Sequence, residues 1–248
     1  MPSHMSDIGF QLNSEDDFHQ LASQAREEGE ALEADNGTYI RWAPGEGIEL
    51  WAQLDRDDQL IGLNPHFRGK GLMRVGLVQE VSRPEGTSLD GAFHAWANPS
   101  EDDPETGEFP FVFDVPDYQL RKVQLPSILQ VQLAAFAHEL RSYKSDEAYE
   151  QSQSEEIKFA SESFIPSGLF SPEGGATEPP LAHALFTGHV RETSIVTNPV
   201  TGNGFCWAKV QTLGGEVDVV ADPVLLNGLL VEGGVVSGSF WLSGFLIR

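Results

Sequence analysis

Cysteine is all but absent: Cys206 is the single one in 248 residues. One thiol excludes an intrachain disulfide and any paired-cysteine metal or redox motif. Its neighbours Phe205 and Trp207 suggest a strand position, where a thiol packs as a small apolar group. Positive charge is scarce as well. Fifteen Lys and Arg stand against 38 Asp and Glu, a formal net charge of −23. The imbalance is uneven: from 182 onward five acids and three bases give −2, which leaves −21 in residues 1–181. Such a field repels phosphate backbones and anionic lipid, so neither nucleic acid nor a membrane surface is expected as a partner. It suits solubility, a basic protein partner or a small ligand. The N-terminus has no basic segment followed by an apolar run, so no signal peptide is expected and the cytoplasm is the expected location. The uncharged stretch "GGVVSGSFWLSGFLI" (233–247) has 15 residues. That is short of the ~20 a membrane-crossing helix needs.

What the chain does have is glycine (25) and proline (15), a composition of short strands and many turns. One helix is clear near the start. Ser14 is a natural N-cap with Asp17 three residues on, Phe18, Leu21, Ala22 and Ala25 repeat at helical spacing, and Gly29 ends the run. Strands are expected at 38–43 and 48–55. In the second, Ile48, Leu50, Ala52 and Leu54 share one face, and Glu49, Trp51, Gln53 and Asp55 share a solvated one. Further strands are expected at 91–97 and 109–115. The stripe Leu129, Leu133, Phe136, Leu140, Tyr143 predicts a second helix from Pro126 to about 143. The stretch "SPEGGATEPP" (171–180) reads as a boundary. Beyond it come three strands, a short helical turn and the alternating run 233–247. Its fully apolar face is Val236, Gly238, Phe240, Leu242, Gly244 and Leu246.

The expected fold class is therefore α+β and strand-rich. An acidic N-terminal mixed α/β-sheet region with two helices (1–180) precedes a small antiparallel OB-like β-barrel (181–248). That barrel is one strand short unless the last run bends into two. Exposed strand edges would suit a homodimer.

The helix at 14–28 followed by strand, turn and "GIELW" resembles one module of the vicinal-oxygen-chelate fold, the glyoxalase and bleomycin-resistance type, over about residues 7–55. That resemblance implies a divalent metal held by Glu49, with His66 and His94 completing the ligand set. The chemistry implied is Lewis-acid assistance to a small oxygen-bearing substrate. Apart from it, the residues point to no cofactor. There is no HExxH, "RGKG" (68–71) lacks the rest of a phosphate loop, and "TGNGF" joins two strands rather than a strand and a helix. No serine sits in GxSxG. In "DRDDQL", leucine stands where a calcium loop needs glycine. Two functions follow: a non-catalytic binding or protein-interaction protein, or a metal-dependent enzyme built on Glu49, His66 and His94.

Overall fold

In a computed structural model, residues 4–154, 158–169 and 179–247 are described. The strand-rich α+β class holds. Helix α1 (Glu15–Glu28) starts at Ser14, whose hydroxyl accepts from the Asp17 amide while the Asp17 carboxylate accepts from the Ser14 amide. This reciprocal box satisfies two of the donors that every helix start leaves free. The strands β1 (Glu30–Ala34), β2 (Gly37–Gly45), β3 (Ile48–Leu54) and β4 (Leu60–Phe67) follow as an antiparallel meander.

The second sheet contains β5 (Met73–Val81), β6 (Ala92–Ala97), β7 (Pro110–Asp114), β8 (Ser127–Tyr143) and β9 (Ser163–Ile165). It continues with β10 (His183–Thr197), β11 (Gly204–Thr212), β12 (Gly215–Ala221), β13 (Leu226–Asn227) and β14 (Val235–Ile247). Its spine is the long antiparallel ladder of β8 with β14. Two circuits of pairing close on that spine. One runs β8–β5–β6–β7–β14, the other β8–β12–β11–β10–β14. The sheet thus spans both sides of residue 180. Of the stretch 171–180, residues 171–178 lie outside the described residues.

The second circuit has five strands, and its fifth is β8. This corrects the helix expected at 126–143. The apolar spacing of three and four arises because β8 is buried on both faces. Leu133, Ala135 and Ala137 enter the core inside the circuits, while Ala134 and Phe136 enter a second core. A strand sunk between two cores loses the alternation that marks a half-exposed one. A bulge opposite Ser239 and Phe240 then shifts the phase, leaving His138 unpaired. His138 therefore lies on a strand, not on a helix. The second helix, α2 (Asp146–Ser152), sits just beyond, with Ser145 as its N-cap. Among the described residues no helix is long and apolar enough to cross a membrane.

The second core joins the two sheets. Ile48, Leu50, Ala52 and Leu54 of β3, with Leu21, Ala22 and Ala25 of α1, pack with Phe136, Phe205, Trp207 and Val220. The other face of β3 was expected in solvent, but it is buried too. Trp51 packs with Tyr39 and Leu89, and Glu49 and Gln53 are covered with it. Burying polar side chains costs free energy unless each finds partners. That requirement organises the seam between the sheets.

Candidate functional site

Glu49 and His66 stand opposite each other on β3 and β4. The resemblance made both of them metal ligands; each is almost fully buried and engaged with protein groups. Glu49 accepts from Arg41 at 2.5 Å, from Arg68 at 3.2 Å and from the Trp51 indole at 3.0 Å. Burial works against its ionised form. The His66 imidazole, Arg41 and Arg68 outweigh that and hold the carboxyl below its usual range. Burial pushes His66 itself down to about 4, which leaves its imidazole neutral at pH 7. His94 lies on β6, half-buried, and desolvation lowers its pKa. The structure pairs Glu49 with His66. Among the described residues no group of three or more His, Cys, Asp or Glu side chains could hold a metal ion.

His66 belongs to a longer chain of hydrogen bonds across the seam. Its Nδ1 lies 2.9 Å from Ser243 Oγ on β14, and its Nε2 lies 3.2 Å from Gln132 Oε1 on β8. Gln132 in turn donates from Nε2 to Phe67 O at 3.2 Å and to Asp218 Oδ2 at 2.9 Å. Asp218, on β12, is fully buried. It also accepts from the Lys70 and Gly71 amides and from the Trp207 indole. The sequence "RGKG", too short for a phosphate loop, is thus the turn that wraps a protein carboxylate. A Cβ at Gly69 would sit 2.0 Å from Asp218 Cγ, so this turn needs glycine.

Because His66 is neutral in the fold and titrates near 6.5 when unfolded, the unfolded chain takes up its proton first as pH falls. Its contribution is a loss of stability between about pH 6.5 and 4, roughly 3 kcal/mol across that window at ~1.4 kcal/mol per pH unit. The His66→Gln variant, whatever its stability at pH 7.5, is expected to lose less stability than the parent chain between pH 7.5 and 4.5. Urea unfolding at the two pH values measures the difference, and parallel losses would refute it.

Ser243, itself almost fully buried, lines a cleft of ≈ 580 Å³ at this seam. Asn64 of β4 forms part of it, with the loop 82–91, the segment 114–119, and Trp241 and Ser243 of β14. Its lining is acidic: Glu80, Glu85, Asp90 and Asp114 against one base, Arg83. Most of its strong donors are already spent. Trp241 donates from Nε1 to Asp114 at 2.6 Å, and Arg83 from Nη1 to the same carboxylate at 2.6 Å. Asn64 donates to Asp90 at 3.1 Å. Tyr118 is bonded to Glu80, and its hydroxyl is pushed up to about 12, by burial first and by that carboxylate second. Arg83 Nη2 is buried without a hydrogen-bond partner; the rest of what is turned to a ligand is chiefly lone pairs, beside two aromatic rings. No stretch of sequence announced this cleft, because its residues come from four separated segments. The nearest signal was the mixed serine and aromatic face of 233–247, which carries Trp241 and Ser243.

A second, smaller cavity of ≈ 290 Å³ lies beside β9 and β10 and includes Tyr149, Ile165 and Thr187. Trp241 is further flanked by a histidine cluster. His4 stacks on it at 4.5 Å between ring centroids and places Nε2 2.8 Å from Nε2 of His138. His183 meets His138 edge-on at 5.3 Å. Burial first, then the neighbouring imidazoles, push His4 down to about 4.

No protein-family model, curated protein or solved structure matches the chain.

Proposed function

We propose that the chain is a non-catalytic binding protein whose cleft at the seam of the two sheets takes a small, positively charged, donor-rich ligand. One observation carries this reading: the cleft is concave and partly aromatic, and its acceptors outnumber the donors left free. A ligand bearing an ammonium or guanidinium group supplies what the lining lacks. It meets the four acids by charge-assisted hydrogen bonds and Trp241 and Tyr118 by cation–π contact. The net charge of −23 draws such a ligand in and keeps nucleic acid away. We read the five-strand circuit β8–β12–β11–β10–β14 as an OB-like barrel that serves as scaffold. The overall charge of −23 does not suit the backbone of single-stranded nucleic acid.

Agmatine carries both an ammonium and a guanidinium, and it tests the proposal by thermal shift. It is expected to raise the melting temperature in a concentration-dependent manner that added salt weakens. Succinate and sorbitol are expected to leave it unchanged. Asp114→Asn keeps an acceptor for Trp241 but removes the charge. It is expected to weaken agmatine about tenfold, the loss of one charge-assisted hydrogen bond. An equal response to succinate, or none to agmatine, would overturn the proposal.

A further inference from the structure

We infer that Ser243 is the acceptor that sets the specificity of the cleft, and that His66, Gln132 and Asp218 hold it in that role. This rests on the cation-binding reading above and adds to it the residue that selects for a hydrogen-bond donor. The chain of hydrogen bonds is anchored at Asp218. Its carboxylate is fully buried and surrounded by four donors, so it can only accept. Gln132 faces two groups that can only accept, the Asp218 carboxylate and Phe67 O, so its NH₂ end must lie there. That turns Gln132 Oε1 toward His66, and His66 Nε2 must carry the hydrogen that bridges the 3.2 Å between them.

A neutral imidazole has one N–H. With Nε2 protonated, His66 Nδ1 is a bare lone pair, and the 2.9 Å contact to Ser243 is made by the serine hydroxyl donating. Every bond in the chain Ser243→His66→Gln132→Asp218 therefore points the same way. Ser243 is left with lone pairs alone to offer the cleft. The acceptor character of a carboxylate buried on β12 is carried across the seam to the cleft wall, without placing another charge there. Serine ordinarily gives or takes a hydrogen bond as the ligand requires; here it is restricted to taking one. At Ser243 a ligand that presents an ammonium or guanidinium N–H is accepted, and one that presents a carbonyl or carboxylate oxygen there meets repulsion between lone pairs.

The experiment has two arms, both on the full chain. In the first, long-range ¹⁵N–¹H NMR reads the His66 tautomer at pH 7.5 without ligand, the ring being assigned by its absence from His66→Gln. A protonated Nε2 and an unprotonated Nδ1 are expected; a protonated Nδ1 would free the Ser243 hydroxyl and overturn the inference. Gln132→Met, which cuts the chain, is expected to populate the other tautomer. In the second arm, agmatine is titrated calorimetrically into the parent chain and Ser243→Ala. About tenfold weaker binding is expected, and unchanged affinity would overturn the specificity role. If the parent chain fails to bind agmatine, the cation-binding reading falls and Ser243 loses that role. The tautomer still decides whether the chain is polarised as described.

Discussion

Asp218→Ala is expected to unfold the protein or leave it only a small part of its stability. The carboxylate is fully buried and receives four hydrogen bonds, from the Lys70 and Gly71 amides, the Trp207 indole and the Gln132 side chain. Alanine leaves those donors without an acceptor, at about 1–3 kcal/mol for each buried group stranded. Relaxation recovers some of this. Even at the lower bound the sum is about 4 kcal/mol, against a total stability on the order of 5–15 kcal/mol for a domain. Asp218→Asn retains one acceptor oxygen and is expected to fall between the two. Urea denaturation followed by tryptophan fluorescence reads the effect through Trp207, which the carboxylate holds. An Asp218→Ala midpoint equal to that of the parent chain would mean the turn 68–71 and the seam are held by something else.

Gly244→Val is the second large effect. Gly244 lies on the apolar face of β14, and a Cβ there would come within 2.2 Å of Phe113 Cδ2 and 2.6 Å of its Cε2. Phe113 has no room to turn aside. It is fully buried, with Phe111 at 5.7 Å and Phe93 at 6.2 Å between ring centroids. Overpacking a filled core costs about 1–3 kcal/mol and sometimes more. Valine at a site where even one carbon clashes belongs at or above the top of that range. Because β14 closes both circuits, the loss is expected to appear as one cooperative transition at a lower temperature. Phe113→Ala in the same chain is expected to restore part of the loss. Additive destabilisation by the two substitutions would show that the ring is not the obstacle.

Much of the architecture was legible where local chemistry and final environment agree. The Ser14 and Asp17 box, the apolar face of β3 (Ile48, Leu50, Ala52, Leu54) and the apolar face of β14 all follow from spacing, and Val236, Phe240, Leu242 and Leu246 enter the core as the alternation of β14 requires. The missing fifth strand was not legible where it was sought, in a bend of the last run. It is β8, far back in the chain, and its two buried faces and its bulge at His138 imitate helical spacing. The candidate site was less legible still. Glu49 and His66 do meet, because β3 and β4 form a tight hairpin. Arg41 comes from β2 of the same sheet and Arg68 directly follows β4, whereas Gln132 and Ser243 arrive through packing of the two sheets, which no local pattern encodes. The solvated face expected for Glu49 rested on polarity alone. A carboxylate with two guanidinium groups and an indole can be buried, and here it is.

The central claim is that the cleft at the seam binds an organic cation. A ¹H–¹⁵N correlation titration of the full chain with agmatine tests it most directly. The indole N–H of Trp241, the amides of Gly86, Gly91 and Gln119, and the amide of Ser243 all lie at the cleft. They are expected to shift together with a single saturation curve, while the amides of Ile165 and Thr187 beside the smaller cavity stay in place. Saturable shifts confined to the smaller cavity, or none at any site, would contradict the account.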